Sequence, residues 1–414
     1  MAADNSTATS NDDPVIFKEI ATSNGRLIGQ IILNAPAKLN ALTLEMVDLM
    51  LLKLTQWQYD DNLVLVVISG SGDKAFCAGG DVQALYQTAI QNAALNESYS
   101  EKNSGHNIGS NSENNNGDEK ENESENDKNN DEMAAHFFER EYRLDYLLHV
   151  YSKPIIAWGH GFIMGGGLGI FAGCKHRVVT EKTRLAMPEV SIGLYPDVGG
   201  SYFLNKMPGE TGLFLALTSA SLNAIDSCYV GLADYTIEHT QFNESINRLI
   251  AIEWQTSAEA NNILIQLALD SFAKESLPAM PPGHIKQNLE TINQLCHGES
   301  LSSIVKAISN FETDNSWLLK AKANLAYASP FSLAITAKQL KAAKQKPLKT
   351  VFNEELILSR NLSRHSEFIE GVRALLIDKD KQPQWQFTCV EDIPIEFIDQ
   401  FFISPWQKNP LANL

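Results

Sequence analysis

Two carboxylates lie eight residues apart in a stretch of the chain that is otherwise apolar and uncharged. Glu189 and Asp197 belong to the run Met-Pro-Glu-Val-Ser-Ile-Gly-Leu-Tyr-Pro-Asp-Val-Gly-Gly at 187–200. Apolar surroundings raise the pKa of a carboxyl group and N–H donors lower it, so this pair is suited to acid-base or nucleophilic chemistry. Capping is an equal alternative, because Asp197 could cap a helix that begins at Val198 and Glu189 could lie in the first turn of another.

Two glycine-rich turns could bind an oxygen atom of a substrate. Ala-Gly-Gly-Asp at 78–81 follows the apolar run 63–68, and Met-Gly-Gly-Gly at 164–167 follows the apolar run 154–158. Glycine allows a backbone N–H to face a ligand, and two N–H groups that converge on one oxygen form an oxyanion hole, in which one donor contributes about 3–4 kcal/mol. The alternative is that these glycines only let a strand and a helix pack closely.

Other catalytic patterns are absent from the sequence. The glycine turns lack the spacing of a dinucleotide fingerprint, and there is no phosphate-binding loop with its lysine, no Gly-x-Ser-x-Gly elbow and no His-Glu-x-x-His helix. The nine histidines are dispersed, and the five cysteines are scattered without a Cys-x-x-Cys pair. This composition argues against a metal site and favours a reducing compartment.

The elements that position these groups alternate between strands and helices. Apolar alternation on both sides of Asn-Gly at 24–25 predicts a hairpin over 15–32, and Thr43 precedes a helical pattern over 43–57. Continuous apolar runs predict buried strands at 63–68, 154–158 and 177–179. Helices are predicted at 133–151 and 166–173. This order predicts an α/β core with parallel pairing and right-handed crossovers.

The second half of the chain is predicted to be largely helical. Strand signals become rare after about Ser219, and helical periods follow at 257–272, 284–296, 301–311, 315–328, 332–343, 350–363 and 367–376. We therefore divide the chain into a disordered N-terminus at 1–13, a core at 14–225 and a helical C-terminal region at 226–414.

The net charge is distributed unevenly along the chain. There are 33 Lys and Arg against 50 Asp and Glu, a net charge of −17. About half of it lies in 97–132, where eleven acids, three lysines and ten asparagines give a net charge of −8. Such a segment buries too little apolar surface to offset its ordering entropy, so we expect a flexible surface insertion. The acidity argues against nucleic acid or an anionic membrane as a partner.

The sequence contains no signal for export or for a membrane span. Residues 1–13 are polar and lack both the apolar core of a secretory signal and the arginines of a transit peptide, which predicts a cytoplasmic location. The uncharged stretch 154–174 has about the length of a spanning helix. Its seven glycines and one proline predict a buried strand, a turn and a short helix instead.

Three stretches, in this order, resemble the crotonase (enoyl-CoA hydratase/isomerase) superfamily. They are Pro-x-Lys-Leu-Asn-Ala-Leu at 36–42, Phe-Cys-Ala-Gly-Gly-Asp at 76–81 and Gly-His-Gly-Phe-Ile-Met-Gly-Gly-Gly at 159–167, within a match over about 14–225 apart from the insertion. The resemblance implies an α/β fold with a spiral of ββα repeats, and an oxyanion hole made by the N–H groups of Gly80 and Gly166. It also implies that the adenine end of coenzyme A, which is part of the substrate and not a cofactor, lies near Lys38, Ala41, Ala78 and Asp81.

Further details resemble the 3-hydroxyisobutyryl-CoA hydrolases of this superfamily. Its hydratases carry one catalytic Glu three residues after the oxyanion glycine, where this chain has Gly169, and usually a glycine where it has Asp197. The motifs around Glu189 and Asp197, Phe-Phe-x-x-Glu-Tyr at 137–142 and Glu-Gly-Val-Arg-Ala-Leu-Leu-Ile-Asp-Lys-Asp at 370–380 are similar to those of the hydrolases. The resemblance therefore extends over nearly the whole chain.

The resemblance implies hydrolysis of a short β-hydroxyacyl-CoA, with 3-hydroxyisobutyryl-CoA of valine catabolism as the expected substrate. Glu189 would attack the thioester carbonyl or act as a base for water, Asp197 would orient water or the substrate hydroxyl, and Glu141 would bind the substrate. One alternative is a hydratase or isomerase that uses Glu189 alone, and another is a non-catalytic scaffold whose acidic insertion docks a basic partner. Many relatives form trimers, although the helical tail here could cover that surface, so a homo-oligomer is an open alternative.

Overall fold

The computed structural model describes residues 13–91 and 125–414. The predicted disorder at 1–12 and most of the insertion predicted at 97–132 lie outside the described residues. Within the described part of the chain, strands form a larger and a smaller sheet. The strands are β1 (Val15–Ala21), β2 (Leu27–Leu33), β3 (Leu63–Gly70), β4 (Ala75–Cys77), β5 (Ile155–Gly159), β6 (Phe162–Met164), β7 (His176–Val179), β8 (Arg184–Ala186) and β9 (Tyr235–Thr236).

The larger sheet has the strand order β1-β2-β3-β5-β7-β9. β1 and β2 pair antiparallel around a turn in which Gly25 has a φ of 79°, so the predicted hairpin is confirmed. The other neighbours pair in parallel. Successive side chains of β3 enter different cores, since Val66 and Ile68 face one and Leu65 and Val67 face the other. Burial on both faces explains the unbroken apolar run of this strand.

The smaller sheet has the short parallel strands β4, β6 and β8, in that order. Each follows a long strand of the larger sheet and precedes a helix or a helical turn, so the chain repeats a strand-strand-helix unit. Three residues are too few to show a periodicity, so these strands could not be predicted from the sequence pattern. Their carboxyl ends lie at one edge of the sheet, and the stretches with the glycine turns and the carboxylates begin there.

Helices make up most of the remaining described chain. The α-helices are α1 (Leu44–Gln58), α2 (82–91), α3 (Glu125–His149), α4 (Gly166–Gly173), α5 (Gly200–Leu204), α6 (Thr211–Thr218), α7 (Ala224–Tyr229), α8 (Phe242–Ile250), α9 (Ala258–Ser276), α10 (Ile285–Cys296), α11 (Leu301–Asn310), α12 (Ser316–Tyr327), α13 (Pro330–Ala343), α14 (Leu348–Leu362), α15 (Ser366–Val372) and α16 (Ile395–Asp399). The predicted helices of the C-terminal region are confirmed, with shifted ends, and a π-helical segment (Arg373–Ile377) continues α15.

α3 begins earlier than its apolar pattern predicts. The periodic pattern starts at 133, whereas the helix starts at Glu125. Residues 125–132, which were assigned to the flexible insertion, are therefore helical. Once a helix has nucleated, each added residue costs little free energy, so a helix can extend beyond the residues that pack.

The C-terminal region packs against both sides of the core. β9 extends the larger sheet beyond residue 225, and α9 covers the sheet face that carries Val67 and Trp158. On the other side, α14 packs on α3, where the ring of Phe352 lies 5.6 Å from that of Tyr142 and 6.3 Å from that of Tyr146. The predicted boundary between 225 and 226 thus divides elements that share the same cores.

Candidate active site

The carboxyl ends of β4 and β6 and the segment after β8 surround a cavity of about 80 Å³. Gly80 and Gly166 line one part of it, and Glu141, Glu189 and Asp197 line another. Most of the remaining wall is apolar, with Val82, Leu85, Phe137, Phe138, Ile192 and Leu194. The structure therefore brings the predicted catalytic residues and Glu141 into one small space, which fits only the reacting part of a substrate.

The N–H groups of Gly80 and Gly166 are available to a substrate oxygen. Leu42 and Gly80 form a parallel β-bridge whose hydrogen bonds are made by the residues on either side of Gly80. Leu42 N donates to Gly79 O, and Asp81 N donates to Leu42 O. α4 begins at Gly166, whose N–H is one of the donors that a helix leaves without an intrahelical acceptor. A Cβ on Gly166 would lie 3.4 Å from Gly80 N. The two donors are thus neighbours, as the predicted oxyanion hole requires.

Some glycines of these turns serve conformation and others serve packing. Gly165 has a φ of 48° and a ψ of −126°, and Gly79 has a φ of 109°, which other residues rarely adopt. Gly167 instead lies so close to the backbone oxygen of Cys77 that a Cβ would overlap it. The packing alternative therefore holds for Gly167, whereas Gly165 and Gly79 shape the turns that expose the N–H groups.

Glu189 lies in the turn that follows β8. It begins a 3-10 helix (Glu189–Ile192) whose N-cap has no side-chain hydrogen bond. The side chain is buried, its Oε2 has no hydrogen-bond partner among the described residues, and its Oε1 would lie 2.8 Å from a Cβ on Gly165. Burial, together with the charges of Asp197 and Glu141, raises the pKa of Glu189 well above its usual value. Glu189 therefore lies in the first turn of a short helix, as the capping alternative expected, although it is not the N-cap and its buried carboxyl also lines the cavity.

Asp197 does not cap a helix either. α5 begins at Gly200, and its N-cap is Gly199. The Asp197 carboxylate is buried, and its Oδ2 accepts a hydrogen bond of 2.6 Å from the hydroxyl of Tyr142. Burial raises the pKa of Asp197 and this hydrogen bond opposes the rise, with a result of about 6. The next residue, Val198, has a φ of 50°, which is unusual for a β-branched residue and marks local strain of the kind found at functional sites.

Glu141 reaches the cavity from α3. Its Oε1 would lie 3.8 Å from a Cβ on Gly80, and it would overlap a Cβ on Gly166. This oxygen has no hydrogen-bond partner among the described residues. Burial and then the charge of Asp197 raise the pKa of Glu141 well above its usual value. Glu141 thus faces Gly80 and Gly166, the two glycines predicted to form the oxyanion hole.

The described residues, 13–91 and 125–414, contain neither a cluster of metal ligands nor a membrane-spanning helix. No group of His, Cys, Asp and Glu there has an arrangement that could hold a metal ion. No helix in this part of the chain is both long and apolar enough to cross a bilayer. The five cysteines are free thiols.

Similarity to known proteins decides the family. The sequence pattern of the family described as enoyl-CoA hydratase/isomerase matches residues 28–108 and 117–402. The protein belongs to this family. Proteins named 3-hydroxyisobutyryl-CoA hydrolase, mitochondrial, are 33% identical to it over 392 residues in Danio rerio and 33% identical over 389 residues in Homo sapiens. Both alignments cover 94% of this chain and 89% of the relative.

Solved structures of the enoyl-CoA hydratase/isomerase family confirm the predicted fold class. An enoyl-CoA hydratase from Rhodobacter sphaeroides superposes with a TM-score of 0.74 at 26% identity, over 95% of this chain and 98% of that one. A carnitinyl-CoA dehydratase from Mycobacterium thermoresistibile gives a TM-score of 0.77 at 26% identity, over 97% of this chain and all of that one. The similarity includes the C-terminal helices, since these alignments span nearly the whole chain.

The residues predicted from the family resemblance to bind coenzyme A lie together beside the cavity. Ala78 lines the cavity, and its N–H donates to Leu39 O in the loop that carries Lys38 and Ala41. Across this loop, the ammonium of Lys38 forms an exposed ion pair of 3.3 Å with Asp81. The structure therefore places Lys38, Ala41, Ala78 and Asp81 near one another and beside the cavity, and their contacts with coenzyme A stay predictions.

Family hydratases carry a Glu at the position of Gly169, and here the space beside Gly169 is occupied by side chains from other parts of the chain. A Cβ on Gly169 would lie 2.6 Å from Oδ2 of Asp145 and 2.7 Å from Cβ of Val198. Asp145 is buried one helical turn after Glu141 on α3, and neither of its carboxylate oxygens has a hydrogen-bond partner among the described residues. The sequence analysis did not single out Asp145. The available signal was an acid four residues after Glu141, which places both on one face of the helix.

Proposed function

We propose that this protein hydrolyses the thioester of short β-hydroxyacyl-CoA substrates, with 3-hydroxyisobutyryl-CoA as the preferred one. The observation that carries this proposal is the pairing of Glu189 with Asp197 in one cavity with the oxyanion glycines, while Gly169 provides no carboxylate. The names of the relatives from Danio rerio and Homo sapiens support the same reaction. It would convert 3-hydroxyisobutyryl-CoA and water to 3-hydroxyisobutyrate and CoA, a step of valine catabolism.

The reaction requires a polarised carbonyl, a nucleophile and a proton for the leaving thiolate. The N–H groups of Gly80 and Gly166 would stabilise the negative charge on the carbonyl oxygen as the tetrahedral intermediate forms. Glu189 would either attack the carbonyl carbon, which gives an anhydride that water then opens, or remove a proton from water as it attacks. In both routes the carbon–sulfur bond breaks, the acid keeps one oxygen of water, and the thiolate of CoA receives a proton.

The remaining carboxylates would divide the proton traffic. Burial raises the pKa values of Glu141, Glu189 and Asp197, but the Tyr142 hydroxyl opposes the rise at Asp197. Because each buried carboxylate disfavours ionisation of its neighbours, these carboxyls titrate as a coupled group. An ionised Asp197 can orient water or the substrate hydroxyl, and a protonated neighbour can supply the proton for the thiolate. Glu141 would bind the β-hydroxyl group beside the oxyanion glycines.

A thiol-release assay over a panel of acyl-CoA thioesters tests the proposal. The panel contains 3-hydroxyisobutyryl-CoA, 3-hydroxypropionyl-CoA, isobutyryl-CoA and crotonyl-CoA. We expect the highest kcat/KM for 3-hydroxyisobutyryl-CoA, and we expect Glu189→Gln and Asp197→Asn each to reduce kcat at least 100-fold. Glu244→Gln, on the exposed side of α8, is the control and should leave the rate unchanged. Near-normal CoA release by both cavity variants would show that the mechanism is wrong.

A hydratase or isomerase is the second candidate, because the two solved structures are named as a hydratase and a dehydratase. Such an enzyme would have to act with Glu189 alone, since the space beside Gly169 is occupied by Asp145 and Val198. Loss of the ultraviolet absorbance of the crotonyl-CoA double bond, without thiol release, would favour this candidate. We expect thiol release from 3-hydroxyisobutyryl-CoA to be faster than hydration of crotonyl-CoA, the only panel substrate with a double bond.

The other expectations extend the proposal. The hydrolysis would need no cofactor, so thiol release should persist in a chelator and after exhaustive dialysis. A variant in which a short Gly-Ser linker replaces 97–124 should fold and keep its activity, whereas a scaffold that docks a partner through the insertion would lose its partner.

The relatives are named mitochondrial, while the composition of 1–13 favours the cytoplasm, and cell fractionation decides between them. Sedimentation would establish whether the protein is a homo-oligomer.

A further inference from the structure

A row of buried hydroxyl groups connects the C-terminal helix α14 with Asp197. The Tyr142 hydroxyl donates to Asp197 Oδ2 at 2.6 Å and lies 2.6 Å from Oγ of Ser359 on α14. The same Oγ lies 3.1 Å from the Tyr195 hydroxyl, which is 2.9 Å from the backbone oxygen of Glu355. Tyr142, Tyr195 and Ser359 are all buried.

The hydrogen atoms in this row can all point toward the carboxylate. Each hydroxyl has one hydrogen to donate. If Tyr142 donates to Asp197, Ser359 can donate to Tyr142. The single hydrogen of the Tyr195 hydroxyl donates to Glu355 O, and Tyr195 donates to Ser359 only when this hydrogen turns away from that carbonyl. Hydrogen bonds aligned in this way polarise one another, so the outer members strengthen the bond that reaches the carboxylate.

α14 also holds the turn that carries Asp197. Oε2 of Glu355 accepts from Gly199 N at 2.7 Å, and Oε1 accepts from Ser201 N at 3.2 Å and from the Ser201 hydroxyl at 2.6 Å. These bonds fix the two residues that flank the start of α5. The strained Val198 lies directly before Gly199. α14 therefore contacts the turn that carries Asp197 in two ways, through the backbone N–H groups of that turn and through the hydroxyl row.

Among the described residues, the charged groups that act around Asp197 do not include a cation. Glu141 and Asp145 face it from α3, Glu189 from the turn after β8, and Glu355 from α14. Tyr195 is the remaining titratable neighbour apart from Tyr142 itself. The charged neighbours are acidic and cannot stabilise a negative charge on Asp197. Within the described part of the chain, the side chain that donates a hydrogen bond to this carboxylate is Tyr142.

We propose that Tyr142 is a positioning residue for the hydrolysis, that it fixes the orientation of the Asp197 carboxylate and stabilises its charge, and that Ser359 and Tyr195 extend this control from α14. This inference rests on the proposed function. It assigns the C-terminal helices a part in the reaction, although the cavity itself is lined by residues up to Asp197 only.

The pH dependence of thiol release tests this role. In Tyr142→Phe the ring still fills its site, but the carboxylate loses its donor. A hydrogen bond to a charged group is worth about one pKa unit or more, so the acidic limb of the kcat profile should move up by about one pH unit. From a starting pKa of about 6, activity should fall about fivefold at pH 6 and little at pH 8, with KM unchanged. A loss of structure would lower activity at every pH.

Variants of the outer hydroxyls extend the test. Ser359→Ala and Tyr195→Phe should each move the limb in the same direction by less, and Ser359→Ala should add nothing in the Tyr142→Phe background, because Ser359 acts through Tyr142. Tyr146→Phe, on the same helix and also packed on Phe352, is the matched control and should leave the profile unchanged.

The outcomes separate this inference from the proposed function. An active wild-type protein whose acidic limb does not move in Tyr142→Phe overturns the inference and leaves the function standing. A wild-type protein that releases no CoA from any thioester of the panel overturns the proposed function, and the positioning role with it. If Tyr142→Phe fails to fold, an unmoved limb in both Ser359→Ala and Tyr195→Phe also overturns the inference.

Discussion

Buried carboxyl groups are concentrated at this site in a way that stability alone does not favour. Glu141, Asp145, Glu189, Asp197 and Glu355 all have raised pKa values, and burial is the largest cause for each. Many acids elsewhere on the molecule meet cations at the surface, as where Arg373 binds Glu370, Asp378 and Asp380. A cluster of acids without cations destabilises the folded state, and such clusters are typical of catalytic sites.

Asp145 provides the simplest measure of this destabilisation. It is buried, both of its oxygens lack described partners, and its pKa is raised by burial and then by Glu141. We expect Asp145→Asn to raise the free energy of unfolding, because the carboxyl is ionised in the unfolded chain at both pH 5.5 and pH 8 while burial and the charge of Glu141 oppose its ionisation in the folded state. The gain should grow between pH 5.5 and pH 8 by up to about 1.4 kcal/mol per pH unit. Urea unfolding at both pH values measures the difference.

Asp145→Asn should also keep most of the thiol-release activity, because Asp145 does not line the cavity. Asp270→Asn, on the exposed face of α9, is the control and should change stability by less than about 0.5 kcal/mol at either pH. A large loss of activity in Asp145→Asn would instead make this carboxyl a participant in the reaction.

Gly169 should not accept the residue that family hydratases carry there. Even a Cβ would lie 2.6 Å from Asp145 Oδ2 and 2.7 Å from Val198 Cβ, and both neighbours are held in a packed core. We expect Gly169→Ala to lower the free energy of unfolding by about 1–3 kcal/mol, and Gly169→Glu to lower it further without producing hydratase activity. Thermal unfolding and the crotonyl-CoA absorbance assay measure the two effects. A stable Gly169→Glu variant that hydrates crotonyl-CoA would contradict this account.

Residue types and order were sufficient to find some of the groups that line the cavity. Glu189 and Asp197 are rare acids in an apolar stretch, and the two glycine turns carry their own signal, whereas Glu141 lies among other charged residues and was identified only through the family resemblance. Tyr142 and Ser359 could not be found in this way, because a tyrosine and a serine on amphipathic helices usually have ordinary roles in packing or at the surface. Their contact joins residues 217 positions apart in the chain, which no local pattern records.

At the scale of elements, the site depends on short strands and on the loops at their ends. β4, β6 and β8 have three residues each, yet their parallel pairing aligns the three functional stretches at one edge. The long buried strands, α1, α3, α4 and α9 to α15 were predicted from the sequence, whereas α6, α7 and α8 were not. The spiral of ββα repeats was implied only by the family resemblance, since short strands carry no periodicity of their own.

Asn40 holds the loop that carries the predicted coenzyme A residues. It has a φ of 57°, which asparagine tolerates better than most residues, and it is fully buried. Its side chain accepts from Ala35 N and donates to Ser71 O and Ala75 O, each at 2.9 Å. We expect Asn40→Ala to lower the free energy of unfolding by about 2–4 kcal/mol, since it leaves buried backbone groups without partners.

The same substitution should raise KM for the acyl-CoA more than it lowers kcat, because the loop lies beside the cavity and away from the reacting carbonyl. Steady-state kinetics at a temperature where the variant is fully folded separates the two parameters. Asn62→Ala, in an exposed turn, is the control. An unchanged KM in a folded Asn40→Ala variant would argue against coenzyme A binding at this loop.

At the scale of the whole molecule, the buried acids determine how stability should vary with pH. A carboxyl whose pKa is raised in the folded state binds its proton more tightly there than in the unfolded chain. Unfolding then releases protons, so the free energy of unfolding falls as the pH rises from the ordinary pKa to the raised one. Glu355, whose pKa is raised to about 8, should continue this loss well above neutral pH.

Buried histidines act in the opposite direction, but in a lower pH range. Burial lowers the pKa of His149 to about 4 and also lowers those of His160 and His176, so these residues favour the folded state as the pH rises toward their ordinary value of 6.5. The two effects overlap below pH 6.5 and partly cancel there. Above pH 7 the carboxyls act without this opposition.

We therefore expect the free energy of unfolding to fall between pH 7 and pH 9, by up to about 1.4 kcal/mol per pH unit for each carboxyl that titrates in the folded state over this range. Urea unfolding at half-unit steps of pH measures the slope, at constant ionic strength so that surface charges contribute equally throughout. Asp145→Asn should flatten the slope, because it removes one member of the cluster, and Asp270→Asn should not. A free energy of unfolding that is constant or rises from pH 7 to pH 9 would mean that the cluster is stabilised by groups other than those described around it.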